Sequence, residues 1–363
     1  MVPAMSETAR EIDPAQPPRL AITMGDPLGI GPEVTVKALA DSDIRNRGRF
    51  VILGMNGAMH LAADRAGIEP FWWRVRAGSD AISHAGDQAV VLIDYTGSPT
   101  DAVDQAAALT HGRPTAAGGA ASFQFVEDAI SCAQRCPDAS LAVDGIVTAP
   151  ISKQAWAMAG RGKYPGHTDL LQTRFGAKCV RMMFVAPKLR TILATAHVPL
   201  MDIRNVLTIG RVFDTIDLGW QACRALGIEQ PRIRVCGLNP HAGEDGLLGD
   251  EETRIIEPAI RLAHDQGMNV TGPFPGDTIW LDAVRGKCDL VVAMYHDQGL
   301  IPVKLLAFDR AVNVTMGLPT VRTSPDHGTA YDIAGTNQAD AGSMRAAIER
   351  AFDFIESSRR ATV

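Results

Sequence analysis

No stretch of this 363-residue chain approaches the ~18 consecutive apolar residues that a membrane-spanning helix needs. Residues 1–18 lack an apolar h-region, so they do not read as a secretory signal. Pro14, Pro17 and Pro18 among interleaved charges make them a disordered leader, with Met5 as a second possible start. No Cys-x-x-Cys pair occurs. Of the six cysteines only Cys132 and Cys136 are close, on one expected helix. The pattern is that of reduced, mostly buried thiols in a cytoplasmic protein. There is no positive excess either: the net charge of −6 argues against broad nucleic-acid binding, which needs a basic face. Local Lys and Arg clusters remain available to small anions. Internal repeats, low-complexity tracts and long linkers are absent. What remains, 46% hydrophobic and 21% charged, is a soluble globular chain long enough for one large or two ordinary domains.

Apolar runs that read as strands alternate with helical stretches. Residues 19–24, 50–54, 89–95 and 145–148 are expected strands, and 32–40 and 116–133 are expected helices. This alternation predicts a parallel α/β sheet. The segment 25–33 joins a strand to a helix with glycines that let backbone amides face an anion, but its spacing is not that of a dinucleotide fingerprint. A tight turn with a packed helix explains it equally well. Residues 180–186 and 191–196 flank Pro187-Lys188-Leu189, which predicts an antiparallel hairpin. His167 lies beside an expected helix start, with Thr168 or Asp169 as cap. Lys304 falls on an expected strand at 303–308, Asn313 on the next at 311–316, and Arg322 in a loop at 318–328.

Asp289-Leu-Val-Val-Ala-Met-Tyr-His-Asp-Gln-Gly299 organises the second half of the chain. It reads as a buried strand that ends at His296 and Asp297, with Gly299 for a turn. Open α/β sheets place ligands at the carboxyl ends of such strands. Two other expected strands end in the same way, at His197 and His241. Any one histidine is more simply structural. Three imidazoles brought to one point suit a divalent metal with positions left open for substrate. His60, His84, His111 and His264 read as solvated surface.

Six ordered segments carry a resemblance. They are Met24-Gly-Asp-Pro-Leu-Gly-Ile-Gly-Pro-Glu33, Pro165-Gly-His-Thr-Asp169, Ala196-His-Val-Pro-Leu200, Leu238-Asn-Pro-His-Ala-Gly-Glu244, Met294-Tyr-His-Asp-Gln-Gly-Leu300 and Thr323-Ser-Pro-Asp-His-Gly-Thr-Ala330. Together they resemble the 4-hydroxythreonine-4-phosphate dehydrogenase family of pyridoxal phosphate biosynthesis, from about residue 19 to the C-terminus. The resemblance implies two α/β/α domains of the isocitrate/isopropylmalate dehydrogenase type with a cleft between them. Their expected bounds are 19–150 with 320–363, and 151–319. It also implies a homodimer whose sites use both subunits, acting on a small anionic, phosphorylated substrate. By the same resemblance His197, His241 and His296 would be metal ligands for one Zn, Mg or Co ion. His167, Thr168, Lys304, Asn313 and Arg322 would bind substrate. The implied reaction is NAD- or NADP-linked oxidation of a secondary alcohol, after which the β-keto acid loses carbon dioxide.

The chemistry of these residues agrees with that reading. A divalent ion polarises a coordinated oxygen, Arg and Lys supply fixed positive charge for a phosphate, and nicotinamide takes a hydride. His167 and Lys304 are the candidate general bases. Asp326-His-Gly-Thr-Ala-Tyr-Asp-Ile-Ala-Gly335 also resembles the adenosine-binding loop of the isopropylmalate dehydrogenases, with His327, Gly328 and Asp332 as candidate cofactor contacts. A plain loop–helix junction is the alternative. Leu28 departs from the alanine common in the family. Paralogues in that family act on phosphorylated four-carbon sugar acids and carboxylated cyclohexadiene diols. Readings from other classes are a catalytically silent metabolite-binding protein and a structural metal protein.

Overall fold

The computed structural model describes residues 16–97, 112–135 and 140–362. Most of the expected leader, His111 and Cys136 lie outside them. The chain divides into two compact units, Met1–Leu171 with Thr320–Val363, and Gln172–Pro319. The division falls at Leu171 rather than at residue 150. Close helix packing explains the difference. A Cβ on Gly119 would sit 2.0 Å from the Ala155 carbonyl oxygen, and Trp156 Nε1 donates to Ser122 Oγ at 3.0 Å. The helix Lys153–Met158 therefore rests directly on the helix Ala116–Gln134 of the first unit.

The first unit contains β1 (Arg19–Thr23), β2 (Arg49–Gly54), β3 (Trp73–Arg76), β4 (Val90–Asp94), β5 (Gly145–Thr148) and β12 (Val321–Pro325). They run in the order β3-β4-β2-β1-β5-β12, and every paired neighbour is parallel. Helices cover both faces of such a sheet, so the central strands are continuous apolar runs; β4 and β5 are buried throughout. The edge strand β3 buries only Val75 and leaves no alternating signal in the sequence. The strand order reverses between β1 and β5, a topological switch point.

The second unit contains β6 (Arg181–Ala186), β7 (Leu189–Leu193), β8 (Ile233–Cys236), β9 (Val270–Phe274), β10 (Leu290–Ala293) and β11 (Val312–Met316), in the order β11-β6-β7-β10-β8-β9. The expected hairpin is present, with Met183 opposite Ile192, and β6 is also antiparallel to β11. The strands β7, β10 and β8 are adjacent and parallel.

Two expectations in this unit need correction. Residues 303–308 are not a strand. Lys304 lies on the helix His296–Ala307, whose buried residues Gly299, Leu300, Val303 and Ala307 follow a helical spacing. Exposed Ile301, Leu305 and Leu306 fill the polar phase and disguise that period. Gly299 makes no turn. It lies inside the helix, where a Cβ would meet Leu193 Cδ2 at 2.5 Å and Ala293 Cβ at 3.1 Å, so its absence lets the helix lie on β7 and β10.

Among the described residues no helix is long and apolar enough to cross a membrane.

Candidate functional site

Because β7, β10 and β8 are parallel neighbours, their carboxyl ends share one edge of the second unit. The segments beyond them carry His197, His296 and His241. Side chains and backbone tie these ends together. Thr195 donates to the Met294 carbonyl through Oγ1 at 2.7 Å and through its amide at 3.2 Å, joining the ends of β7 and β10. Gln298 Oε1 accepts from Met294 N at 2.7 Å, and its Nε2 donates to the Gly237 carbonyl at 2.8 Å, joining β10 to β8.

The His197 and His296 ring centroids stand 5.8 Å apart. His296 opens the helix His296–Ala307, and its Nδ1 lies 2.7 Å from Asp297 Oδ1. His241 Nδ1 lies 3.2 Å from Glu244 Oε2. A carboxylate on Nδ1 fixes the imidazole so that Nε2 is presented as a ligand, the usual outer-shell arrangement at metal-binding histidines. Imidazoles held in this way are suited in chemistry, though not yet in spacing, to a divalent ion. Among the described residues, no three His, Cys, Asp or Glu side chains are grouped closely enough to hold a metal ion by themselves.

The segment bearing His241 is unusual. His241, Ala242, Gly243, Glu244 and Asp245 all have positive φ, at 53°, 54°, 82°, 44° and 54°, giving a left-handed turn. His197 has φ 49°. Non-glycine residues avoid this region unless surrounding structure imposes it. Here the imposing group is Glu252, only 2% exposed. Its Oε1 accepts from Leu238 N and Asn239 N, both at 2.7 Å, and its Oε2 accepts from Asn239 Nδ2 at 2.9 Å. A Cβ on Gly243 would lie 2.7 Å from Glu252 Oε2. Glu252 begins a π-helical turn, Glu252–Ile256, a feature often found at functional sites. In the sequence Glu252 is the last of three consecutive acids, and nothing local marks it out.

Beside His241 lies a cavity of about 630 Å³ lined in part by Asn239, Trp280, Tyr295, Asp297 and Gln298, a size suited to a small molecule. Elsewhere in the second unit, Asn313 is on β11, as expected, and its Oδ1 is buried without a hydrogen-bond partner. The Lys304 ammonium lies 5.8 Å from the Phe308 ring centre.

In the first unit, Arg322 is on β12 rather than in a loop, paired in register with Ile146 of β5. The β-branched Val321 and Thr323 on either side favour that strand, which the nearby prolines obscure. Arg322 is 2% exposed and its Nη2 donates to Thr148 Oγ1 at 2.6 Å. Burial pulls the guanidinium down to about 9, so an anionic ligand would restore its preference for the charged form.

The helix His167–Phe175 starts two or three residues earlier than a cap at Thr168 or Asp169 would place it, so both lie in its first turn. The His167 ring packs edge-on against Trp156 at 5.7 Å, and its Nε2 is covered and without a partner. Burial, then the charges of Arg322 and Lys153, push the His167 pKa well below the usual histidine value. The ring is thus held neutral, with Nε2 placed for a hydrogen bond to a ligand. Lys153 went unnoticed in the sequence; only its place just after β5 hinted at it.

His327, Gly328 and Asp332 follow β12. His327 Nε2 is buried without a partner, and Asp332 is exposed. A Cβ on Gly328 would meet no protein atom within 4 Å. Protein packing therefore does not require this glycine, whereas close approach by a ligand would. Leu28 is buried at 4% exposure.

Comparison with known proteins identifies the family. The family model described as "Pyridoxal phosphate biosynthetic protein PdxA" matches residues 54–351. A 4-hydroxythreonine-4-phosphate dehydrogenase of Beijerinckia indica is 45% identical over 336 residues, covering 92% of this chain and 93% of its own. A D-threonate 4-phosphate dehydrogenase of Cupriavidus necator is 42% identical over 346 residues, with 95% and 98% covered. The solved 4-hydroxythreonine-4-phosphate dehydrogenase of Klebsiella pneumoniae matches with a TM-score of 0.78 at 38% identity, over 93% of this chain and 98% of its own. The fold is the one these dehydrogenases share, an α/β fold of the isocitrate/isopropylmalate dehydrogenase type. Family pattern, identity over nearly the whole chain and fold agree, and the chain belongs to the PdxA family.

Proposed function

We propose that this protein is a divalent-metal-dependent, NAD- or NADP-linked dehydrogenase that oxidises and decarboxylates 4-hydroxythreonine 4-phosphate, giving 3-amino-2-oxopropyl phosphate. The observation that carries this reading is the shared strand edge bearing His197, His241 and His296, two of them with a carboxylate on Nδ1. A bound divalent ion (Zn, Mg or Co) would be held by these three residues and would supply Lewis-acid polarisation of the substrate oxygens. The reading includes a homodimer whose subunits together complete each site.

His167, Thr168, Lys304, Asn313 and Arg322 are the substrate-binding positions. Arg322 offers a buried cation to the phosphate, and the orphaned Asn313 Oδ1 accepts a hydrogen bond from the substrate. His167, with Nε2 unpartnered, and Lys304 are the candidate bases for the alcohol proton. A bound nicotinamide dinucleotide would supply the hydride acceptor for oxidation of the alcohol to a ketone. Cleavage of the bond to the neighbouring carboxylate then releases carbon dioxide. His327, Gly328 and Asp332 would hold the dinucleotide. The five described cysteines are free thiols, which supports a reducing, cytoplasmic location.

A second reading has its own support. The Cupriavidus necator relative is named for D-threonate 4-phosphate, and a phosphorylated four-carbon sugar acid offers the same alcohol, carboxylate and phosphate. The test is reduced-dinucleotide formation from both phosphorylated substrates and from a carboxylated cyclohexadiene diol, with Zn, Mg or Co and with chelator. Turnover of a phosphorylated hydroxy acid that chelator abolishes is the expected result. Turnover of the diol alone would overturn the phosphate assignment. No turnover with any of them would favour a silent binding protein.

A further inference from the structure

We propose that Asp26 and Tyr331 form a latch that fixes the 326–335 loop onto the turn after β1, and that this pair sets the affinity for the dinucleotide. The proposal rests on reading that loop as the dinucleotide-binding segment.

The latch lies where the parallel strands β1, β5 and β12 end side by side. Tyr331 Oη donates to Asp26 Oδ2 at 2.6 Å, and Leu28 N donates to Asp26 Oδ1 at 3.0 Å. Asp26 N in turn donates to the Pro150 carbonyl, beyond β5, at 2.9 Å. Asp26 is wholly buried, and its carboxylate has little room to move: a Cβ on Gly118 would lie 2.7 Å from Oδ1. Tyr331 thus reaches a rigid acceptor placed by two strand ends. Burial raises the Asp26 pKa above the usual carboxylate range, and the Tyr331 hydroxyl opposes that rise. Removing the phenol therefore leaves a buried carboxyl poorly satisfied.

Backbone contacts anchor the loop on either side of Tyr331. Ile30 N donates to the Thr329 carbonyl at 2.9 Å, and Gly29 permits this approach, since a Cβ there would lie 2.8 Å from Thr329 O. Glu33 Oε1 accepts from Ala339 N at 2.8 Å, and Lys37 Nζ donates to the Asn337 and Ala339 carbonyls at 3.1 and 2.9 Å. Between these anchors Ala330 has φ 40°, a strained conformation for a residue with a side chain. Tyr331 is the next residue, and its tie to Asp26 holds that strain in place. Exposed Gly328 and Asp332 lie on either side of this pinned segment. Preorganising a loop lowers the ordering cost that a ligand would otherwise bear. Asp26 and Tyr331 are positioning residues here, since they act through the loop.

The test uses the full-length protein with Tyr331→Phe, Asp26→Asn and the double variant. NADH and NADPH binding is followed by fluorescence titration, steady-state kinetics give KM and kcat, and hydrogen exchange follows the loop amides. Each single variant should raise the dinucleotide Kd about tenfold or more, the equivalent of one charge-assisted hydrogen bond. The double variant should add little. KM for the dinucleotide should rise by more than kcat falls, and exchange should quicken in 326–335 but not in β2 or β4. An unchanged Kd in Tyr331→Phe, or a double variant whose effect is the product of the singles, would overturn the proposal. Should Asp26→Asn fail to fold, Tyr331→Phe alone decides, because it keeps the ring. If the wild type binds neither dinucleotide, the dinucleotide reading fails, and unchanged loop exchange in Tyr331→Phe would then refute the latch itself.

Discussion

Glu252→Gln probes the left-handed turn that presents His241. Four non-glycine residues in that turn, His241, Ala242, Glu244 and Asp245, have positive φ. Each costs roughly 1–2 kcal/mol relative to right-handed backbone, so the turn stores about 4–8 kcal/mol. The Glu252 carboxylate accepts from Leu238 N, Asn239 N and Asn239 Nδ2. At ~1.5–3 kcal/mol for each bond to a charged acceptor, it contributes about 4.5–9 kcal/mol, the same order as the strain. Glutamine preserves the shape but not the acceptors. With its oxygen on the two backbone amides, its NH₂ faces the Asn239 NH₂, donor to donor. One charged bond is lost and two become neutral, a change of about 2–4 kcal/mol. The expected result is a 10–100-fold rise in the zinc Kd, the usual scale for outer-shell changes at a metal site. Competition with a chromophoric chelator measures it. A metal-independent readout accompanies it: amides 241–246 should exchange faster in the metal-free variant, with global stability lowered by no more than about 2–4 kcal/mol. Wild-type zinc affinity together with unchanged exchange would show that Glu252 does not hold the turn, and the reasoning would fail.

His167→Gln tests the neutral imidazole. The folded pKa of His167 lies well below the ordinary 6.5, so the unfolded chain takes up the proton first as pH falls. Its contribution to stability is therefore present above about 6.5 and lost as pH drops toward the folded pKa. Urea unfolding at pH 7.5 and pH 5 should show the wild type losing more stability than the variant, and equal losses would contradict the assignment. Arg322→Ala should raise KM for the phosphorylated substrate about tenfold to a hundredfold, one charge-assisted contact, with zinc affinity unchanged; an unaltered KM would place the phosphate elsewhere. Gly328→Ala should leave the melting temperature unchanged, since its Cβ meets no protein atom, yet weaken dinucleotide binding in the fluorescence titration. Unweakened binding would remove Gly328 from the cofactor site.

The histidine-bearing strand ends were legible because β10 is an apolar run and β7 and β8 are mostly buried runs broken by single arginines, each followed by a polar histidine segment, a pattern local to each stretch. The helix His296–Ala307 was not, because exposed Ile301, Leu305 and Leu306 fill the phase that should have been polar. Arg322 was hidden by the prolines at 319 and 325, which suggest a loop, although β12 is a buried strand. Other groups are invisible for a different reason. The Tyr331–Asp26 bond joins residues 305 positions apart, and Arg322 meets Thr148 across 174. No local period or motif spacing encodes such a pairing; sheet order does. Glu252 is only 14 positions from Leu238, but its role depends on a turn handedness that non-glycine residues give no reason to expect.

That handedness supplies an argument for function independent of any resemblance. Among the described residues, the non-glycine positions with positive φ are His197, His241, Ala242, Glu244, Asp245, Ala330 and Asn337. The first five lie beyond the carboxyl ends of β7 and β8, and Ala330 lies in the loop after β12. Strain of this kind persists only where neighbours over-determine it, and it concentrates at ligand-binding sites. The neighbours are identifiable: Glu252 at the His241 turn, and Asp26 with Tyr331 at Ala330. Glu252 and Asp26 are carboxylates that lie outside the segments they restrain. A protein selected only for stability would relax these turns with glycine, which the chain already uses at Gly243 within the turn itself. Keeping His241 and Glu244 there, with a buried acid beside them, means that side-chain chemistry at these two positions outweighs about 2–4 kcal/mol of backbone strain. The bond between His241 Nδ1 and Glu244 Oε2 shows what the strained turn provides, an imidazole oriented by its own carboxylate.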